Sequence, residues 1–389
     1  MRFLPPRRPA AKALCAALAV FVGAAAALVG TCGPFTDVAA DAFCQFVLEI
    51  FYLGITTGTT ATTYDPASPV SRLQMAAFLS RSVDAALKRG SRRAALGSFA
   101  VPQNALSLGL TTVGAQPQFV ACDGADVWVA NFSFGTVSRV RASDGRLLET
   151  WTGATSAYGI VAAMGRILVA GQTIPGKLYQ IDPSQPAGAV TVVASNLGGS
   201  SRSVAFDGAR VWVANSQGSV SIITPGASIP WTATTITTGF TQPNGVIFDG
   251  ANVWVTDTSP GRIFKLDSTG AILLTVTHGG NVTYPVFDGT NIWVPSGLGN
   301  FVTVIRPSTG AILDTLTANG LAAPLSASFD GERVLVINQI NSTLSLWKAA
   351  GMTPLGTVST GASTFPFGAC SDGINFWIAL TGPGQLARF

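Results

Sequence analysis

Charged side chains and histidine are scarce in this 389-residue sequence. Only 11% of the residues are Asp, Glu, Lys or Arg, and His278 is the single histidine. One histidine excludes any site built from two imidazoles. The chain also lacks Gly-x-Ser-x-Gly, His-Glu-x-x-His, a phosphate-binding loop and Cys-x-x-Cys, which are common signatures of hydrolases, metalloproteases, nucleotide-binding proteins and redox proteins. We therefore predict no catalytic residues, no metal and no cofactor.

A strong charge of either sign is missing as well. The first thirty residues hold four basic and no acidic side chains, so without them the net charge falls from +4 to zero. A neutral chain has no electrostatic basis for binding nucleic acid, and we expect none. Disorder is excluded too, because 48% of the residues are hydrophobic and can form a core.

Residues 1–30 have the pattern of a secretory signal peptide. Basic residues come first, and an apolar run from Ala13 to Val29 follows. We expect cleavage of this segment, which leaves no stable transmembrane span. A retained membrane anchor is the alternative. Lipidation of Cys32 is a further possibility, although Thr31 stands where a lipoprotein signal needs its cysteine.

What the sequence does contain is a repeat. The stretch Phe-Asp-Gly-Ala-Asn-Val-Trp-Val at 248–255 returns in related form around glycines 124, 165, 208, 289, 331 and 373, at steps of 39 to 43 residues. A period near forty with short apolar strands is typical of a β-propeller blade. The acidic residues of the repeats fall mostly in turns, which argues against a calcium site or paired hydrolytic carboxylates. Residues 105–389 are thus predicted to form an all-β, seven-bladed propeller with four strands per blade.

The last repeat is short by one strand. It ends at Phe389 after its third strand, and residues 106–114 align with 353–361, which form an outer strand of the preceding repeat. We therefore expect segment 105–114 to complete the last blade, so that the ring closes without an open edge.

Four cysteines remain after the signal segment, and they suggest two pairs. In an oxidising compartment, Cys32 with Cys44 and Cys122 with Cys370 are disulfide candidates. Closure of the ring would bring Cys122 and Cys370 together. The alternative is two buried free thiols at those positions.

Residues 31–89 have a different, mainly helical pattern. Apolar residues recur at helical spacing from Phe43 to Phe51, and a second helix follows Ser71, which forms a Ser-x-x-Gln capping box with Gln74. Residues 90–104 are predicted to be a basic linker. A contact between this linker and an anionic wall polymer is the alternative.

Four segments of the helical region resemble, in order, the S-layer homology (SLH) module: 34–38, 54–58, 64–66 and 70–76. The resemblance implies a bacterial protein that attaches to cell-wall polysaccharide or peptidoglycan. Arg72 matches the arginine of the family's Thr-Arg-Ala-Glu motif and is the implied wall-binding residue. Leu73 and Gln74 depart from that motif, and only one module is present.

The repeats are similar to NHL-type, YVTN-type and virginiamycin B lyase-like propellers, through their Asp-Gly-x-x-hydrophobic-Trp-Val phrase. The lyase-like members use a metal held by paired histidines and an acid. With His278 alone, this chain lacks the residues for such a site.

Polar and aromatic residues that differ between blades are expected to converge on one face of the ring. Neutral hydrogen-bonding groups beside aromatic rings would suit a carbohydrate or peptide ligand. The alternative is that the Asn and Asp residues only satisfy loop backbone. The candidate ligand-binding residues are Gln118, Asn131, Tyr158, Arg202, Asn215, Asn244, Asp257, Tyr284, Asn338 and Phe367.

These observations predict an exported bacterial protein of the cell envelope with a non-enzymatic binding or scaffolding role. An extracytoplasmic enzyme of the lyase-like or lactonase-like propeller group is one alternative. A purely architectural component of a surface layer is another.

Overall fold

The computed structural model describes residues 32, 34–38, 43–52, 55–87 and 109–389. The chain divides after Ser91 into two compact units. The predicted signal peptide, the predicted linker and residues 105–108 lie outside the described residues.

The N-terminal unit contains two helices, α1 (Cys44–Tyr52) and α2 (Arg72–Leu87). Its small core is centred on Phe35, which is fully buried and packs edge-on against Phe51 at 5.1 Å between ring centroids. A disulfide joins Cys32 to Cys44 at the start of α1, with 5.5 Å between the Cα atoms. A unit with so few buried side chains gains stability from this covalent link.

The C-terminal unit is a ring of seven four-stranded antiparallel sheets, which confirms the predicted propeller. Blade 1 consists of β2 (Pro117–Cys122), β3 (Asp126–Asn131), β4 (Thr136–Arg141) and β5 (Leu147–Thr152). Blade 2 consists of β6 (Ala157–Ala163), β7 (Arg166–Gly171), β8 (Gly176–Ile181) and β9 (Thr191–Leu197). Blade 3 consists of β10 (Ser201–Phe206), β11 (Val211–Asn215), β12 (Ser219–Thr224) and β13 (Thr232–Ile236). Blade 4 consists of β14 (Pro243–Phe248), β15 (Val253–Asp257), β16 (Arg262–Leu266) and β17 (Ile272–Thr277). Blade 5 consists of β18 (Val286–Phe287), β19 (Ile292–Ser296), β20 (Phe301–Ile305) and β21 (Ile312–Leu316). Blade 6 consists of β22 (Pro324–Phe329), β23 (Arg333–Asn338), β24 (Thr343–Lys348) and β25 (Thr353–Ser359).

Blade 7 closes the ring in the way that the sequence predicts. It consists of β26 (Pro366–Ser371), β27 (Phe376–Leu380) and β28 (Gln385–Arg388), and its outer strand is β1 (Gly109–Thr112). β1 runs antiparallel to β28. The N-terminal strand of the propeller therefore covers an edge that would otherwise be unpaired.

The Asp-Gly turn between the first two strands of a blade has a second role besides reversing the chain. Gly250 has φ 93°, a conformation that favours glycine. One oxygen of Asp249 accepts hydrogen bonds from the backbone N–H groups of Ala251 and Asn252, and the other accepts one from Trp254 Nε1 at 2.7 Å. The same aspartate-to-tryptophan bond joins Asp123 to Trp128, Asp207 to Trp212, Asp288 to Trp293 and Asp372 to Trp377.

These tryptophans are fully buried and pack between blades. Trp212 of blade 3, for example, belongs to one apolar cluster with Val246, Val253 and Phe264 of blade 4. Truncating a buried tryptophan costs about 3–5 kcal/mol in other cores, so five such contacts account for much of the cohesion between blades.

A disulfide joins the innermost strands of the first and last blades. Cys122 at the end of β2 and Cys370 in β26 are bonded, with 5.9 Å between their Cα atoms. It spans 248 residues of sequence and adds a covalent closure to the strand closure by β1.

Candidate functional site

Four aromatic side chains from four blades meet at the axis of the ring. Phe119 lies in β2, Tyr158 in β6, Tyr284 two residues before β18 and Phe367 in β26. Ring centroids are separated by 4.6 Å for Phe119 and Tyr284, and by 5.6 Å for Tyr158 and Phe367. The hydroxyls of Tyr158 and Tyr284 are hydrogen-bonded at 3.1 Å. We call these four residues the aromatic cluster. Because they come from opposite sides of the ring, they fill its central channel.

Tyr284 is held in the channel by its backbone. Its N–H donates to the carbonyl of Leu325 at 3.1 Å, and its own carbonyl accepts from the N–H of Ala327 at 3.3 Å. Both partners belong to β22 in the next blade. Pro285 has no N–H to donate, and the inner strand of blade 5 is only two residues long, Val286–Phe287. The chain of blade 5 therefore turns to blade 6 at the position of Tyr284.

A cavity of about 360 Å³ opens beside the aromatic cluster, and we call it the axial cavity. A smaller cavity of about 150 Å³ lies further along the inner strands, and Tyr284 contributes to both. Of the described residues that line the axial cavity, only Arg202 is charged. The lining consists of Tyr158, Arg202, Ser216, Gln242, Asn244, Thr258, Asn281, Thr283, Tyr284, Leu325, Gln339 and Phe367.

Two polar groups in the axial cavity have buried atoms that the protein leaves without a partner. They are Nε of Arg202 and Oδ1 of Asn244. The guanidinium carbon of Arg202 lies 5.8 Å from the centre of the Tyr158 ring, a cation–π contact. The lining thus holds one donor and one acceptor atom whose hydrogen bonds the protein does not complete.

Burial controls the protonation of the two tyrosines. It raises the pKa of Tyr158 well above its ordinary value, and the neighbouring Tyr284 adds to the rise. Burial also raises the pKa of Tyr284, although the positive charge of Arg202 opposes this effect. Both hydroxyls therefore stay protonated near neutral pH and act as hydrogen-bonding groups.

Five of the ten candidate residues from the sequence line the axial cavity: Tyr158, Arg202, Asn244, Tyr284 and Phe367. A sixth, Gln118, is buried in β2 beside Phe119 and is not part of the lining.

The other four candidates, Asn131, Asn215, Asp257 and Asn338, have no exposed surface and bind within their own blades. Asn131 Nδ2 donates to Ser138 Oγ at 3.0 Å. The carboxylate of Asp257 accepts hydrogen bonds from two backbone N–H groups, at 2.6 and 2.9 Å. These side chains bind neighbouring hydroxyl side chains or loop backbone, and none of the four lines the axial cavity.

The polar side chains that do reach the cavity from this side stand one position later in the sequence. Ser216, Thr258 and Gln339 directly follow three of those four residues and line the cavity. Successive side chains of an extended chain point to opposite sides, so an error of one residue selects the wrong face. The alternation of side-chain direction at the end of each second strand is the sequence signal that could have identified Ser216, Thr258 and Gln339.

His278 is not part of the cavity lining. Its ring stacks on Phe301, with 4.9 Å between the ring centroids and 23° between their planes. Burial lowers its pKa to about 4. Among the residues that the structure describes, no three His, Cys, Asp or Glu side chains lie together in a way that could hold a metal ion.

In the N-terminal unit, Arg72 is exposed at the first position of α2. Ser71 and Gln74 form the predicted capping box: Ser71 N–H donates to Gln74 Oε1 at 2.8 Å, and Gln74 N–H donates to Ser71 Oγ at 3.2 Å. The two flanking polar residues are therefore used by the helix end, whereas the guanidinium of Arg72 faces solvent.

Comparison with known proteins identifies the N-terminal unit. Residues 34–76 match the S-layer homology domain. Such a domain indicates a cell-surface or envelope-associated protein. No helix within the described residues is both long and apolar enough to span a membrane. The comparison with curated proteins gives no match.

Solved structures resemble the propeller. A streptogramin B lyase is 14% identical with a TM-score of 0.60, over 72% of this chain and 97% of that one. The virginiamycin B lyase of Staphylococcus aureus is also 14% identical, with a TM-score of 0.61 over 72% of this chain and 98% of that one. The hydrazine synthase of Kuenenia stuttgartiensis has the same identity and TM-score, over 72% and 97%. At this identity the likeness establishes the fold alone.

Proposed function

We propose that this is an exported binding protein of the bacterial cell envelope, in which the SLH domain attaches the chain to the wall and the propeller binds a polar ligand without chemical conversion. The observation that carries the proposal is the axial cavity. It has a floor of aromatic side chains and walls of neutral hydrogen-bonding groups. A concave site with a few convergent polar groups is typical of small-molecule recognition.

The lining supports a carbohydrate or a short peptide as the ligand. Four carboxamides line the cavity, and each offers both donors and an acceptor. They are Gln242, Asn244, Asn281 and Gln339. The tyrosine hydroxyls, kept protonated by burial, add two further groups of mixed character.

The tether is assigned to the SLH domain and to Arg72. Cell-wall polysaccharide or peptidoglycan is the proposed partner, and the exposed guanidinium of Arg72 can bind a carboxylate or phosphate group of such a polymer through two parallel hydrogen bonds. The signal-like residues 1–30 support export.

Sedimentation with isolated bacterial cell walls tests the tether. The purified protein should co-sediment with walls, and Arg72→Ala should reduce the bound fraction at least fivefold, because wall polymers lose their bidentate contact. Arg306→Ala is the matched control, since Arg306 is an exposed arginine of the propeller. Full retention of the Arg72→Ala protein, or equal losses for both variants, would contradict the proposal.

The second candidate is an extracytoplasmic propeller enzyme, and the observation that favours it is the structural likeness to two lyases. It predicts turnover of a streptogramin or lactone substrate by the purified protein, together with a stoichiometric metal in elemental analysis. Detection of both would replace the binding function with an enzymatic one.

A further inference from the structure

We propose that the axial cavity selects a sugar unit that carries a carboxylate, and that Arg202 receives this carboxylate. The inference rests on the proposed binding function and adds the chemical class of the ligand.

Among the described residues, Arg202 is one of four propeller arginines without an acidic partner, and it is the one of the four that lines the axial cavity. Within the described residues, six arginines pair with carboxylates, but no ion pair involves Arg202. The ionisable groups that act on it are the hydroxyls of Tyr284 and Tyr158, both neutral near pH 7. A partly buried cation is stabilised when an anion supplies the missing charge. The cavity therefore favours an anionic group over a neutral one.

The groups around Arg202 suit a carboxylate. Its guanidinium presents N–H donors in a planar fork that matches the two oxygens of a carboxylate. Its Nε is buried and unpartnered. The hydroxyls of Tyr158 and Tyr284 are hydrogen-bonded to each other, which leaves one O–H of the pair as a further donor nearby. Arg202 is therefore able to form two charge-assisted hydrogen bonds to one ligand group.

The rest of the lining favours a sugar over a peptide. Apart from the aromatic floor, Leu325 is the one aliphatic side chain among the described lining residues, so the cavity has no apolar pocket for a peptide side chain. Its carboxamides and the hydroxyls of Ser216, Thr258 and Thr283 instead match the closely spaced hydroxyls of a sugar ring. At about 360 Å³ the cavity lies within the range of small-molecule sites, roughly 300–1,000 Å³.

Calorimetric titration of the full-length protein with two matched pairs of probes tests the inference. The first pair is methyl glucuronide and methyl glucoside, which differ only in the carboxylate. The second pair is N-acetyl-Ala-Ala as the free acid and as the amide. We expect the glucuronide to bind at least about tenfold more tightly than the glucoside, and more tightly than either peptide.

Three variants complete the design. Arg202→Gln should remove the preference for the glucuronide, and Arg202→Lys should keep part of it because the charge remains without the fork. Arg306→Gln, at an exposed arginine, should behave as the wild type. Thermal melting of each variant shows whether the fold is intact. If Arg202→Gln unfolds, the glucuronide preference of Arg202→Lys is compared with that of the wild type. A weaker preference in Arg202→Lys supports the inference, and an unchanged preference contradicts it.

The outcomes separate the two levels of the proposal. Equal binding of glucuronide and glucoside, or a preference that survives Arg202→Gln, overturns the carboxylate selection and leaves a sugar-binding cavity. Binding of the peptide acid alone overturns the sugar assignment. If none of the four probes binds, both this inference and the ligand-binding function of the cavity are overturned.

Discussion

At the scale of single residues, the aspartate of the repeated Asp-Gly turn joins two features that the sequence shows only separately. The sequence places this aspartate in a turn and the tryptophan five residues later in the following apolar strand. In the structure the two are hydrogen-bonded, at 2.7 Å for Asp249 and Trp254. Blade 6 has Leu335 in place of the tryptophan, and there Asp330 pairs with Arg333 at 2.8 Å. In five of the seven blades, one carboxylate therefore orders both the turn and the buried ring.

A pH-dependent loss of stability is expected at His278. Burial lowers the folded-state pKa to about 4, whereas the unfolded value is about 6.5. The unfolded chain thus binds the proton first, so the contribution of this residue is complete above about pH 6.5 and is lost as the pH falls to about 4. After allowance for partial exposure, the loss is about 2 kcal/mol.

The measurement is urea unfolding of the wild type and of His278→Phe between pH 7 and 4. The phenylalanine keeps a ring against Phe301 but does not titrate. The difference in unfolding free energy should move by about 2 kcal/mol in favour of the variant as the pH falls. Parallel pH profiles for the two proteins, or an NMR titration of the single histidine with a midpoint near 6.5, would refute the assignment.

At the scale of strands and blades, closure of the ring depends on contacts between the two ends of the propeller. β1 pairs with β28 over four residues, and the disulfide between Cys122 and Cys370 links blades 1 and 7. Without these contacts, β28 would have an unpaired edge, and the apolar cluster that contains Val129 of blade 1 and Trp377 of blade 7 would be divided. The strand pairing and the disulfide therefore both act where the two ends of the propeller chain meet, at blade 7 and its contact with blade 1.

Replacement of both Cys122 and Cys370 by serine should lower the unfolding free energy of the propeller by about 2–4 kcal/mol, because the unfolded chain is no longer constrained across the long loop. Urea unfolding followed by tryptophan fluorescence measures this change. The control is the corresponding double variant at Cys32 and Cys44, which should leave the propeller transition where it is. An unchanged midpoint in the first variant would show that β1 closes the ring alone.

At the scale of the whole molecule, the chain combines two compact units, each with its own core and its own disulfide. In the proposed function the SLH domain attaches the chain to the wall, and the propeller holds the ligand cavity. Since the residues proposed for the two roles lie in different units, the two activities should be separable by single substitutions.

This separation is tested with the two arginine variants in both assays. Arg72→Ala should lose wall retention and keep ligand binding, whereas Arg202→Gln should lose ligand discrimination and keep wall retention. A variant that impairs both assays while melting at the wild-type temperature would mean that wall and ligand are recognised by one joint surface.

The sequence by itself determined the seven blades, the closing strand and the SLH domain, because each is written in local patterns: a period near forty residues, a missing outer strand and four short motifs in order. Only the tertiary structure decided which side chains share the axial cavity. Tyr158 and Tyr284 touch across the ring although 126 residues separate them. A shift of one residue, from Asp257 to Thr258, moves a polar group from the interior of a blade to the cavity. Contacts across a ring and the direction of a strand-end side chain depend on how the blades are assembled, and repeat spacing does not contain that information.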